Sequence, residues 1–173
     1  MLTKQTILRA SLVSFILLIA VSCSISYKFN GASIDYNVTK TITIKDFPNQ
    51  APLVMPTLAQ QFTNSVQDIY IRQTRLTMIP NNGDLELEGE ITGFDLAPTA
   101  VREDMYASRT KLTITVRVRY TNKNKQEDDF EQSFSAFREF DANKQLQDVQ
   151  DQLSEEICKE LADMIYNATV ANW

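Results

Sequence analysis

Ten consecutive residues, Lys111 to Tyr120, alternate without interruption. Leu112, Ile114, Val116, Val118 and Tyr120 take one parity, and Lys111, Thr113, Thr115, Arg117 and Arg119 take the other. A period of two over that length reads as a β-strand with one face in a core and the other facing out. Such a strand constrains its surroundings. It needs one-sided neighbours, and helices or a second sheet must cover its apolar face.

Both kinds of partner can be found in the chain. In Leu85 to Leu96, the residues Leu85, Leu87, Gly89, Ile91 and Gly93 alternate with Glu86, Glu88, Glu90 and Thr92. After a link suited to a hairpin, Thr121 to Gln126, Phe130, Phe134 and Ala136 point inward while Asp129, Glu131, Ser133 and Ser135 point outward. Thr39 to Phe47, with Ile42 and Ile44 on one parity, reads as a short strand ended by Pro48. Arg75 to Ile79 reads as another, stopped by Pro80-Asn81-Asn82-Gly83. Thr57 to Gln60 fits a capping box ahead of a helix whose apolar face is Leu58, Phe62, Val66, Ile69 and Tyr70. Leu146, Val149, Leu153, Ile157, Leu161, Ile165 and Ala168 trace one stripe of a longer helix capped by Asp141 or Asn143. The order is β-α-β-β-β-β-α. It predicts an α+β fold: a two-layer sandwich with a mixed, mostly antiparallel sheet of about five strands and two helices on one face. The first β-α-β should be a right-handed crossover joining a parallel pair, and the other connections antiparallel hairpins.

The first 22 residues stand apart. Lys4 and Arg9 precede an apolar run, Leu12 to Val21, that is too short to span a bilayer and has the length of a secretory signal. Small residues then lead to Cys23 in Ala20-Val21-Ser22-Cys23, which resembles a bacterial lipobox with Ala20 where leucine usually stands. The expected division is a lipoprotein signal peptide over 1–22, an acylated tether over 23–38 and a folded domain over 39–173. An ordinary cleaved signal, or a disulfide between Cys23 and Cys158, would use the same residues differently. If Cys23 carries the lipid, Cys158 has no partner in the chain and serves as a small helix residue. Several acyl chains hold a protein to a membrane effectively for good. Ser24, with no acidic run behind Cys23, resembles sorting to the periplasmic face of the outer membrane.

Without the signal, 15 basic residues face 22 acidic ones, a net charge of −7. That balance argues against nucleic acid and anionic lipid surfaces. The chain has no histidine, two cysteines and four glycines. The commonest general base is therefore missing, and neither a zinc cluster nor a glycine-rich phosphate loop can be assembled. Glu86, Glu88 and Glu90 form a row along one strand face and do not converge on a point. No enzyme and no cofactor are expected.

Two features invite a ligand or a partner. Lys111, Arg117 and Arg119 face outward on the fourth strand, and Arg102 and Arg109 lie in the loop before it. They could grip phosphates, or pair with glutamates of neighbouring strands as a cross-strand ladder. The stretch FPNQAPLVMPTLAQQF, residues 47–62, sets Leu53, Val54 and Met55 among three prolines. A stiff apolar loop of this kind either packs on its own core or docks at low entropic cost.

Several stretches together, FPNQAPLVMPTLAQQFT, GDLELEGEITGFDLAP, KLTITVRVRYTNK, DFEQSFSAFREFD and the terminal NW, resemble the Bacteroidota branch of LptE, the lipopolysaccharide-assembly lipoprotein. The similarity covers nearly all of the chain after Cys23. It implies a domain anchored to the outer membrane that plugs an LptD-type β-barrel, helps it assemble and meets lipopolysaccharide in transit. Leu53, Val54 and Met55 are then the candidate barrel contact. Arg102, Arg109, Lys111, Arg117 and Arg119 are the candidate contacts to lipopolysaccharide phosphates. The rival expectation is a free-standing periplasmic lipoprotein that binds glycolipid or polysaccharide.

Overall fold

The computed structural model describes residues 34–53, 55–99 and 109–170; Cys23, Val54 and Arg102 lie outside the described residues. In chain order the elements are β1 (Thr41–Ile44), α1 (Leu58–Gln73), β2 (Thr77–Met78), β3 (Leu85–Thr99), β4 (Arg109–Asn122), β5 (Phe130–Asp141) and α2 (Leu146–Thr169). They form one mixed sheet in the order β2-β1-β3-β4-β5. The helices pack on each other, and α2 lies on β4 and β5. This is the expected α+β architecture, an open five-stranded sheet with no helix on its other face among the described residues.

The alternation of β4 sets the core. Leu112, Ile114, Val116, Val118 and Tyr120 are all buried, together with Leu85, Leu87 and Ile91 of β3 and Phe134, Ala136 and Phe140 of β5. Phe62, Val66, Ile69 and Tyr70 of α1 and Ile157, Leu161 and Ile165 of α2 close it from above. Each such aliphatic side chain stabilises the fold by roughly 1.5–3 kcal/mol. Cys158 belongs to this layer as a free thiol, and burial pushes its pKa up to about 12.

The structure corrects four expectations. Thr57 precedes α1, but its side chain makes no cap; the helix instead starts from a backbone turn in which Leu58 N–H donates to the Met55 carbonyl at 3.1 Å. Neither Asp141 nor Asn143 caps α2, which begins after Gln145; Asp141 closes the preceding turn by accepting the Asn143 N–H at 2.9 Å. The alternation of β3 breaks at a bulge between Ile91 and Gly93, after which Phe94 takes the inward place opposite Ile114. Finally, β2 and β3 are not a hairpin, because each pairs in parallel with β1, on opposite sides.

That last arrangement requires the chain to cross β1, and Gly83 makes the crossing. A Cβ there would sit 2.6 Å from the Thr43 nitrogen and 2.8 Å from the Ile42 carbonyl carbon. Asn82, just before it, has a positive φ of 59°, which asparagine tolerates better than most residues. Asp84 then fastens the start of β3 to the start of β1. Its Oδ2 accepts the N–H of Lys40 at 2.8 Å, the N–H of Thr41 at 3.0 Å and the Thr41 hydroxyl at 2.9 Å.

These bonds, the Lys40 N–H first, hold the Asp84 carboxyl below its usual pKa. A depressed pKa means the contribution is present above the unfolded-state value near 4 and is lost as pH falls through the folded value. Asp84→Ala should therefore cost about 1–3 kcal/mol at pH 7. The difference from wild type should begin to shrink below about pH 4, where the unfolded chain takes up the proton, and vanish only below the lower folded value. Urea unfolding at pH 7 and pH 3, followed by circular dichroism, checks both statements.

Candidate functional site

The helix-free face is built by register. Glu88 stands opposite Arg119, and Arg119 opposite Glu131, so one guanidinium on β4 lies between carboxylates on both neighbouring strands. Arg119 reaches Glu131 at 3.0 Å and Glu88 at 3.3 Å. Lys45, just past β1, meets the same Glu88 at 2.5 Å, and that hydrogen bond holds Glu88 below the ordinary carboxylate range. Arg117 pairs with Glu90 directly across the strand boundary, Lys123 with Glu86 at 2.7 Å, and Arg109 with Glu139 at 3.5 Å.

Of the two readings of the basic residues, the geometry displays the ladder. Arg117 and Arg119 already have carboxylate partners, and a phosphate would have to compete with them. Arg109 is not in a loop: it is the first residue of β4, opposite Thr99 on one side and Asp141 on the other. Lys111 pairs differently. Its ammonium lies 5.3 Å from the centre of the Phe137 ring, a cation–π contact.

Between the charged rungs and this end of the face runs a hydroxyl band. Thr115 stands opposite Ser135 and donates to it at 3.3 Å, and Thr92 donates to the Thr115 carbonyl at 3.4 Å. Phe137 follows, 52% exposed on the same parity as Ser133, Ser135 and Glu139. Sequence reasoning passed over it, although an aromatic among polar residues at period two was the available signal. Lys45 and Lys123 were also missed. Lys45 takes the outward parity of the strand read over Thr39 to Phe47, so the signal for it was present, whereas Lys123 lies just past the end of β4, where parity gives no place.

The proline-rich loop divides between core and surface. Ala51 and Met55 are buried, and the Ser154 hydroxyl meets the Met55 sulfur at 3.4 Å. As a surface contact Met55 is therefore corrected, since its side chain is a core residue. Leu53 is 48% exposed. An Asn49 bracket shapes the loop, accepting the Ala51 N–H at 3.0 Å and reaching the Met55 carbonyl at 3.5 Å.

Among the described residues no three metal-ligating side chains converge, and no helix is long and apolar enough to cross a membrane. What the face offers is a broad polar surface with paired charges, a hydroxyl band and one exposed ring. Such a surface can meet another polar surface without leaving an unpaired ion behind.

Solved structures share the fold. Rare lipoprotein B from Shewanella oneidensis superposes with a TM-score of 0.53 at 11% identity, covering 75% of this chain and 92% of its own. The PelC dodecamer subunit from Paraburkholderia phytofirmans gives 0.51 at 8% identity, covering 82% and 95%. A hypothetical protein from Chlamydia trachomatis gives 0.50 at 11% identity, covering 78% and 99%. At these identities the likeness is one of fold alone. No curated protein matches by sequence. The sequence profile of the family LptE, described as lipopolysaccharide-assembly, matches residues 39–169, from the residues before β1 to the last residue of α2. This chain belongs to the LptE lipopolysaccharide-assembly family.

Proposed function

We propose that the protein is an outer-membrane lipoprotein of the Bacteroidota type. In this reading it is acylated at Cys23, faces the periplasm, plugs an LptD-type β-barrel and assists both assembly of the barrel and delivery of lipopolysaccharide. The observation that carries this reading is the family match across the whole of the folded domain. The helix-free face supports it. Barrel interiors are polar, and a face whose arginines are already neutralised suits such a lumen better than it suits a free receptor for phosphorylated glycolipid. Among the candidate phosphate contacts, Lys111 and Arg109 stand at the hydroxyl and aromatic end of the face, while Arg117 and Arg119 serve the ladder.

The test is recovery of a tagged full-length protein from detergent-solubilised outer membranes, with Cys23→Ala beside it. A large barrel protein should accompany the wild type at about one-to-one. Cys23→Ala should lose membrane attachment. Recovery of an acylated protein with no companion would refute the plug and leave glycolipid capture as the reading to pursue.

A further inference from the structure

The two edges of the sheet differ in what they offer. At one edge β2 is two residues long, and a strand that short gives little to pair with. At the other, β5 runs for twelve residues, and its ladder with β4 continues from Tyr120 opposite Phe130 to Arg109 opposite Asp141. Among the described residues nothing pairs with its outer side. β5 also contains no proline, no lysine and no bulge, the devices that usually blunt an edge. Within it stands Phe137, 52% exposed on the helix-free face, with Lys111 reaching the ring from β4.

The residues of this edge are complementary to themselves. Two copies can lie antiparallel about Phe137 with both helix layers on one side of the joined sheet, which makes facing side chains share a parity. Phe137 then meets Phe137, Ala136 meets Arg138, Ser135 meets Glu139, Phe134 meets Phe140 and Ser133 meets Asp141. Ring faces ring, hydroxyl faces carboxylate, and the smallest inward side chain of the strand faces the longest. No carboxylate opposes another, and aromatic pairs are among the favourable cross-strand contacts. The serine hydroxyls can donate to Glu139 and Asp141 while Arg109 keeps its own contact with Glu139 at 3.5 Å. Arg138 keeps its bonds to α2, Glu156 at 3.0 Å and Glu160 at 2.5 Å, and Ala136 of the second copy leaves it room. Neighbouring centres fit worse. Pairing about Ser135 sets Glu131 against Glu139, pairing about Ala136 sets Glu131 against Asp141, and pairing about Arg138 sets the Phe137 ring against Glu139.

We propose that the chain pairs with a second copy of itself through β5, in the antiparallel register centred on Phe137, so that two five-stranded sheets become one. The two-fold axis passes between the Phe137 rings. The pairing uses both long edges and leaves only β2 at each end, so association closes at two copies. The inference goes beyond the plug reading and does not depend on it. For a chain that occupies a barrel one-to-one, the dimer is the form outside the barrel.

Sedimentation velocity and cysteine cross-linking of the full-length protein in detergent test the inference. The wild type should pass from one copy to two as its concentration rises. Phe137→Asp sets two carboxylates face to face at the axis and should weaken association about tenfold, whereas Phe137→Leu keeps an apolar pair and should stay within about threefold of wild type. Both substitutions are at an exposed position and should leave the fold intact, which thermal melts check. In this register only residue 137 faces itself. Under mild oxidation Phe137→Cys should therefore form a disulfide-linked dimer above the wild-type background, and Ser133→Cys and Ser135→Cys should not. A wild type that stays single at every concentration overturns the inference, as does linking that is strongest at Ser135→Cys. Amide exchange in which residues 130–141 are protected regardless of concentration assigns the edge to another segment of this chain and overturns it too. The plug reading survives each of these outcomes.

Discussion

Phe47→Ala is expected to lower the free energy of unfolding by about 3–5 kcal/mol. Phe47 follows β1 and is fully buried. Its ring meets Phe62 of α1 edge-on, with centres 5.0 Å apart, and its N–H donates to the Thr63 hydroxyl at 3.1 Å. The residue thus couples the sheet to the helix layer through both side chain and backbone. The space under its ring exists because position 89 has no side chain. A Cβ on Gly89 would lie 2.8 Å from the Phe47 ring and 2.1 Å from the Arg117 carbonyl oxygen. Gly89→Ala should therefore cost about as much as Phe47→Ala. Phe47→Ala should not rescue it, because the closer clash is with backbone and cannot rotate away. Urea unfolding of the two single variants and the double variant checks this. A loss under about 1 kcal/mol for Phe47→Ala would mean that the segment after β1 contributes little to the core.

The same region shows what a sequence can and cannot disclose. The inward rows of β4 and β5 and the stripes of both helices were legible because side-chain periodicity is written directly in residue type. Gly93 was misplaced because glycine carries no parity; the mark the bulge left is the switch of apolar residues from Leu85, Leu87 and Ile91 to the other parity at Phe94 and Leu96. The crossing at Gly83 was read as a hairpin because Pro-Asn-Asn-Gly announces a reversal without saying which side of β1 the chain regains. Thr43 reports the difference only in the folded state: it has the outward parity yet is buried, with its hydroxyl accepting the Gly83 N–H. The ladder on the open face followed the same logic. Residue types allowed either a phosphate grip or ion pairs, and only the register, which sets Arg119 opposite Glu88 and Glu131, displays the second. The proline-rich loop was undecided because hydrophobicity cannot separate Leu53, which is half exposed, from Met55, which is buried.

That division of the loop carries the other large effect. Met55→Asp should unfold the domain, since it places a carboxylate in a site that is 95% shielded and lined by core residues; an unpaired buried charge costs several kcal/mol. Leu53→Asp should leave the melting temperature within a few degrees of wild type, because the side chain is half exposed and close to solvent. If Leu53 is the surface that seats against the barrel, the same substitution should cut barrel recovery at least tenfold, the loss of a buried leucine together with desolvation of a charge. The proline framework sharpens the contrast. Pro52 and Pro56 flank the loop tip, so Leu53 loses little conformational freedom on docking, and its affinity contribution is correspondingly large. Thermal melts and recovery assays on the two variants separate the cases. A folded Leu53→Asp protein that still recovers the barrel in full would move the contact away from this loop, to the sheet face. An unfolded one would make both sides of the loop part of the core.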